Sequence, residues 1–275
     1  MKTPITYYGG KQLMADMIIS MFPGHKIYCE PFFGGGAVFF RKSKSYLEVI
    51  NDIDERLINF YQVTQNNFEQ LKTLIDQTLN SETQYLHAKD IWNERLPADE
   101  IEKAWAIWTI TNSSFAGSMK GGWKWSNGTS GSHTGVFMKN KRNYFSGRIH
   151  DRLKTVQISC RDALKVIPER DTPDTLFYLD PPYPGSYQGH YTGYSHKDLF
   201  ELLQVLSKIQ GKFILSNYWC QTLKYHIYRH GWNFKELEVI IKTSNLGVTD
   251  PEKSRSRTEI LVYNFELQKD LFTHE

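Results

Sequence analysis

A chain of 275 residues, 40% hydrophobic and 14% aromatic, can bury a core large enough for one α/β domain with an insertion, or for a catalytic domain with a smaller partner, which excludes the disordered class. Its formal charge of +3 favours a polyanionic partner only weakly. Cys29, Cys160 and Cys220 lack the spacing of a zinc knuckle, a redox dithiol or a disulfide framework. With no targeting segment and no run of about 18 apolar residues, the expectation is a cytoplasmic protein without a metal or a membrane partner.

In chain order, Tyr7, Tyr8, Gly9, Gly10 and Lys11 read as a tight loop, after which Leu13, Met17, Ile18 and Met21 recur at helical spacing. Ile27 to Cys29 is short enough for a buried strand. Glu30-Pro31-Phe32-Phe33-Gly34-Gly35-Gly36 follows as a loop, and Ala37 to Phe40 opens a helix. Strand, glycine loop, helix is the order found at the ligand-binding edge of an α/β sheet. A second strand, Tyr46 to Ile50, ends at Asn51-Asp52-Ile53-Asp54, and Leu57, Ile58 and Tyr61 mark the next helix. Residues 66 to 110 read as helical, with one stripe at Phe68, Leu71 and Ile75 and another at Ala104, Ile107, Trp108 and Ile110.

From Asn112 to Arg142 periodicity disappears among Gly, Ser and aromatic residues, which predicts extended loops or an inserted hairpin. Val156 to Cys160 reads as a strand, Ala163, Leu164 and Ile167 as a helix, and Thr175 to Leu179 as a buried strand ending at Asp180-Pro181-Pro182-Tyr183. Beyond a loop rich in Gly and Tyr, Leu199, Leu202, Leu203 and Leu206 mark a crossover helix and Phe213 to Ser216 a strand. Phe234 to Ile241 and Thr258 to Phe265 read as two strands joined by a polar loop holding Arg255 and Arg257.

The chemistry concentrates at Asp180, Pro181, Pro182 and Tyr183. A strand end places them at the carboxyl edge of a parallel sheet, and the prolines fix the backbone while leaving carbonyl acceptors beside a carboxylate and an aromatic ring. Such a cluster suits an amino group on a planar base: Asp180 and the Pro181 carbonyl accept its two hydrogens, and Tyr183 stacks on the ring. The plain alternative is a proline-stiffened turn with a capping aspartate. A glycine run followed by Ala37-Val38 lacks the Gly-Lys-Ser/Thr of a phosphate loop. A dinucleotide oxidoreductase would use the glycines and Asp52, but leaves Asp180 to Tyr183 without a purpose.

Charge is distributed unevenly. From Lys103 through His150 no Asp or Glu occurs, so Lys120, Lys124, Lys139, Lys141, Arg142 and Arg148 are candidate contacts to a polyanion; a solvated basic surface is the alternative.

In this order the segments resemble the Dam-like, D12 class adenine-specific DNA methyltransferases. Tyr8-Gly9-Gly10-Lys11 resembles the N-terminal cofactor motif, Pro31 to Gly36 the glycine loop, Asn51-Asp52-Ile53 the acidic end of the second strand and Asp180 to Tyr183 the catalytic motif. Ser216-Asn217-Tyr218 and Arg257 to Tyr263 resemble later core segments. The resemblance implies a Rossmann-like methyltransferase sheet of parallel strands with a reversed C-terminal hairpin, plus an inserted helical and loop-rich DNA-recognition region. Residues 1–60 and 151–275 would then form the catalytic domain and 61–150 the insertion.

It further implies S-adenosyl-L-methionine as cofactor, double-stranded DNA as partner and extrusion of the target adenine. Tyr8, Lys11, Phe32, Gly34, Gly35, Gly36, Asp52, Asp162 and Asp180 would contact the cofactor, with Asp52 on the ribose hydroxyls and Asp162 on the adenine amino group. Asn112 and Ser114 fall where related enzymes begin their recognition module. Thr111 to Gly117 departs from the arginine-containing pattern of enzymes that read GATC. The rival substrates are cytosine N4 and RNA adenine, and the rival class is a silent DNA-binding relative. A restriction endonuclease is a possible genetic partner, and monomer and dimer stay open.

Overall fold

The computed structural model describes residues 1–7, 9–127, 133–185, 193–241 and 255–267. The short apolar runs form β1 (Ile27–Glu30), β2 (Leu47–Asn51), β3 (Gln157–Ser159), β4 (Thr175–Leu179), β5 (Lys212–Asn217), β6 (Asn233–Ile241) and β7 (Arg255–Tyr263). They make one sheet in the order β3-β2-β1-β4-β5-β7-β6. All neighbours are parallel except β7, which runs antiparallel to both β5 and β6. This is the parallel sheet with a reversed hairpin that the resemblance implied. The chain builds outward from β1 to β3, then returns to β4 on the other side of β1, so the loops after β1 and β4 diverge and leave a crevice between them.

The helices are α1 (Ala15–Ser20), α2 (Ala37–Arg41), α3 (Glu55–Asn66), α4 (Phe68–Gln77), α5 (Glu82–Trp92), α6 (Glu100–Ser113), α7 (Thr134–Tyr144), α8 (Gly147–Leu153), α9 (Ala163–Glu169), α10 (His196–Leu206) and α11 (Gln221–His230). Strand alternation divides them between two layers. Leu176 and Tyr178 of β4 join a core with α1 to α8, including Phe39, Phe60, Tyr61, Trp105 and Trp108. Phe177 and Leu179 face the opposite core, built on Leu199, Leu202 and Leu203 of α10, Val166 and Ile167 of α9 and Leu223 of α11. The helical segment between β2 and β3 therefore shares its core with the sheet.

Helix starts follow local hydrogen bonding. Asp54 accepts from the backbone N–H groups of Arg56 and Leu57 to cap α3. Asp99 with Glu102, and Ser195 with Asp198, form capping boxes at α6 and α10.

Several expectations change. The first helix and its flanks bury Met14, Ala15, Ile18 and Met21, while Leu13 is 91% exposed and Met17 is on the solvent side, so the buried stripe runs beside Leu13 and Met17 rather than through them. Helix α6 has no single stripe: Ala104 to Ser113 are all buried, since α3, α4, α5 and α7 surround it. The aperiodic region contains α7, whose exposed Lys139, Asn140 and Asn143 hide its period. Arg255 and Arg257 belong to β7, opposite Ile241 and Val239, rather than to a loop. Helix α11 carries few apolar residues and was not expected.

Candidate active site

Lys11, Phe32, Gly34, Gly35, Gly36, Asp52, Asp162, Asp180, Pro181, Pro182 and Tyr183 line one cavity of about 760 Å³ at the carboxyl edge of the sheet. Tyr8 lies outside the described residues, as do Tyr187 and Tyr191 of the loop after Tyr183. Tyr194, from the described end of that loop, lines the cavity and sets its ring edge-on to Phe32, centroids 6.4 Å apart. His196 begins α10, exposed and outside the cavity lining.

The glycine loop is shaped by the chain's own aromatic rings. A Cβ on Gly35 would come within 2.6 Å of the Tyr7 Cβ, and one on Gly36, at φ +65°, within 2.5 Å of the Phe33 ring. Both positions therefore demand glycine on packing grounds alone. Gly34 donates its backbone N–H to Asp52 Oδ2 at 2.8 Å, and Asp54 N–H donates to Asp52 Oδ1 at 3.1 Å. These bonds lock the acidic end of β2 against the loop after β1. Asp162 lies beyond β3, where Oδ1 caps α9 by accepting from Leu164 N–H at 2.9 Å.

The sequence reads Glu30 as the first residue of a loop. It ends β1, is 2% exposed and lines the cavity floor, with Tyr28 OH donating to Oε2 at 2.7 Å. Burial pushes its carboxyl up to about 8, with the Tyr28 bond opposing and the Asp180 charge adding to the rise. Seven acidic residues, Glu30, Asp52, Asp162, Asp180, Asp198, Glu201 and Glu259, thus line one cavity, a set of acceptors that suits a ligand carrying positive charge. S-adenosyl-L-methionine, with a sulfonium and an ammonium, fits that set.

At the end of β4 the groups are tightly joined. Lys11 Nζ lies 2.9 Å from Asp180 Oδ1 and 3.0 Å from Glu259 Oε1. Tyr183 OH is 2.9 Å from the same Asp180 oxygen and also bonds Glu259 Oε1. Burial raises the Asp180 carboxyl above its ordinary range, Lys11 opposes the rise and Glu259 adds to it. For Lys11 burial opposes the charged form, but the two carboxylates outweigh it and hold the ammonium above its ordinary range. The Tyr183 ring meets Tyr218 edge-on, centroids 4.6 Å apart, so two aromatic residues stand beside the carboxylate. Glu259 and Tyr218 arrive from β7 and from the end of β5. Both lie in segments quoted for the resemblance, yet nothing in their spacing marked them as neighbours of Asp180.

The candidate DNA contacts separate into groups. Lys120 and Lys139 are exposed. Lys124 and Lys141 converge on one ring, with their Nζ atoms 4.9 Å and 5.5 Å from the Phe137 centroid. Burial, with Lys2 adding repulsion, pulls the Lys141 ammonium down to about 8. Arg142 donates to the Thr78 carbonyl, tying α7 to the end of α4. Arg148 is exposed and lines a different cavity with Arg41, Lys44 and Arg152.

Asn112 and Ser114, placed by the resemblance at the start of the recognition module, are buried, being only 2% and 3% exposed. Asn112 Nδ2 donates to the carbonyls of Trp108 and Pro4 and its Oδ1 accepts from Thr6. Ser114 forms a β-bridge with Trp123. They tie the N-terminal segment and the insertion to the end of α6.

The D12 class N6 adenine-specific DNA methyltransferase family matches residues 7–244. A type II methyltransferase of Methanocaldococcus jannaschii is 24% identical over 298 residues, covering 95% of this chain and 98% of that protein. A type II methyltransferase of Lactococcus lactis subsp. cremoris is 28% identical over 292 residues, covering 94% and 93%. The DNA N-6-adenine-methyltransferase of Escherichia phage P1 is 27% identical over 226 residues, covering 76% of this chain and 29% of that protein. The chain belongs to the D12 class N6 adenine-specific DNA methyltransferases, whose methyl donor is S-adenosyl-L-methionine.

Proposed function

We propose that the cofactor lies along the ends of β1, β2 and β3 while an adenine extruded from double-stranded DNA enters beside the end of β4. The observation that carries this reading is the convergence of Asp180, Tyr183 and the glycine loop on one cavity. S-adenosyl-L-methionine supplies an electrophilic methyl group on its sulfonium. Asp180 and the Pro181 carbonyl accept the two N6 hydrogens, which turns the nitrogen lone pair toward the donor. Tyr183, with Tyr218 beside it, offers the stacking surface that offsets part of the cost of unstacking the base.

Lys11, Phe32 and Gly34 to Gly36 flank the methionine half of the cofactor, Asp52 takes the ribose hydroxyls and Asp162 the adenine amino group. Glu30, a buried acid on the cavity floor, suits the methionine ammonium. Residues 61–150 act as the recognition region. In it, Lys120, Lys124, Lys139 and Lys141 serve as phosphate contacts, and Lys141, half-buried beside another lysine, gains most from an arriving anion. Arg142, held by the Thr78 carbonyl, supports this face from behind, and Arg148 meets the backbone elsewhere. The type II names of two relatives support pairing with a restriction endonuclease acting on the same cytoplasmic DNA.

Incubation with labelled cofactor and diverse duplex DNA, followed by nucleoside analysis, tests the reading. N6-methyladenine in duplex DNA is the expected product. Label confined to RNA, to cytosine N4 or to protein would overturn it.

A further inference from the structure

Glu259 has no part in the contacts proposed above, yet it shares a lysine and a phenol with Asp180. We infer that Glu259 is a positioning residue for methyl transfer: it balances the charge of Lys11, so that Asp180 meets the target amine as an uncancelled carboxylate. The inference rests on the proposed placement of adenine beside Asp180.

The geometry is a frame around one oxygen. Lys11 Nζ and Tyr183 OH both contact Asp180 Oδ1, and both also contact Glu259 Oε1. A phenol has one proton and can donate to one carboxylate at a time, so Lys11 is the constant tie between the two. Among the described residues Asp180 Oδ2 accepts no hydrogen bond, which leaves it for the amino hydrogen of the base.

Two carboxylates and one ammonium leave a surplus of one negative charge. With a neutral side chain at position 259, Lys11 would face Asp180 alone and the surplus would vanish. Methyl transfer needs that charge. The N6 lone pair forms the new N–C bond as the C–S bond breaks with its electron pair kept by sulfur, so positive charge moves onto N6. One N6 proton then passes to the Asp180 carboxylate, leaving neutral methylated adenine. In a water-poor cavity a fixed negative charge beside N6 stabilises that shift far more than it would in solvent. The other ionisable groups near Asp180 do not replace it. Tyr178 and Tyr183 are buried phenols held in the neutral form, and Glu30 is pushed toward its neutral form.

The test is single-turnover methylation of genomic DNA from a methylation-deficient host at saturating cofactor, with cofactor affinity by calorimetry and a thermal melt. Glu259→Gln should slow transfer by about 30-fold while cofactor Kd and melting temperature hold. Adding Lys11→Met to Glu259→Gln, at cofactor concentrations set to saturate the double variant by its own calorimetric Kd, should recover about tenfold in the transfer step, because it removes the unbalanced ammonium; a purely architectural Glu259 gives further loss instead. Glu259 is one of the charges that raise Asp180, so the acid limb of the pH–rate profile should move to lower pH in Glu259→Gln. An unchanged rate, an unmoved limb or a slower double variant would each overturn the inference. Should Glu259→Gln not fold, Glu259→Asp keeps the charge and should transfer within about tenfold of wild type; a loss as deep as that of Asp180→Ala would overturn it. Wild type that labels no DNA adenine would overturn the functional reading as well, whereas active wild type with an equally active Glu259→Gln removes only the role of Glu259.

Discussion

Near the amino end of β2, Glu48 sits between Lys42 and Arg152; at the carboxyl end of β4, Lys11 sits between Asp180 and Glu259. Both clusters are largely buried and both leave one charge unbalanced, positive in the first and negative in the second. In the first, both oxygens of the carboxylate are taken by the chain's own groups, Glu48 accepting from Lys42, Arg152 and the Ser45 N–H, although Lys42 and Arg152 border a smaller cavity. Lys42 donates to Ser43 O and Ser45 Oγ, and the Arg152 guanidinium donates to Phe39 O and stacks 3.6 Å from the centroid of the Phe39 ring. The second opens on the large cavity and keeps an Asp180 oxygen in hand. Buried ionic clusters of similar make-up therefore serve different ends according to whether every lone pair has been used, and that is a firmer guide to function than burial or charge alone.

The largest effect that would sharpen this contrast is on turnover. Asp180→Ala should reduce methyl transfer by about 10³-fold with folding and cofactor affinity intact, as read by single-turnover kinetics and calorimetry. Unchanged methylation would break the contrast by removing Asp180 from the chemistry. The complementary change is Glu48→Gln, which leaves two buried cations without their carboxylate and should cost about 3–5 kcal/mol of stability in urea unfolding. Transfer per folded molecule should stay near wild type; a loss of turnover without a loss of stability would reverse the assignment.

Burial pushes the Glu48 carboxyl up, but the bonds from Arg152 and Lys42 outweigh it and hold it below its ordinary range. Its contribution to stability is therefore complete above about pH 4.3, the unfolded value, and is lost as pH falls through the depressed folded value. Acid unfolding of wild type and Glu48→Gln should converge over that window. The smallest effect concerns the insertion. Replacing Lys124 and Lys141 with Gln should flatten the salt dependence of DNA binding by about two units of slope, with turnover at saturating DNA retained. An unaltered slope would place the phosphate contacts on another face.

What the sequence disclosed and what it hid follow from the range of the forces involved. The strands, the glycine loop and Asp180 to Tyr183 were legible because each is written in a few adjacent residues: an apolar run, a positive φ, two prolines. Glu259 was not, because it meets Tyr183 across 76 positions and only strand pairing brings it there. The burial of Asn112 and Ser114 was hidden for the same reason. They are polar and follow a helix, as a surface contact would, but Pro4, Thr6 and Trp123 come from elsewhere in the chain to cover them. Helices α7 and α11 escaped notice because their exposed faces outweigh their short apolar stripes, leaving little period to read.

The reversed direction of β7 has a consequence for assembly during synthesis. Every other named member of the cavity precedes Glu259 in the chain, so a nascent polypeptide carries Lys11, Glu30, Asp52 and Asp180 well before the strand that joins them leaves the ribosome. In the finished sheet that strand lies between β5 and β6 and brings Lys11 its second carboxylate. The carboxylate that balances Lys11 is therefore the last of these groups to be synthesised.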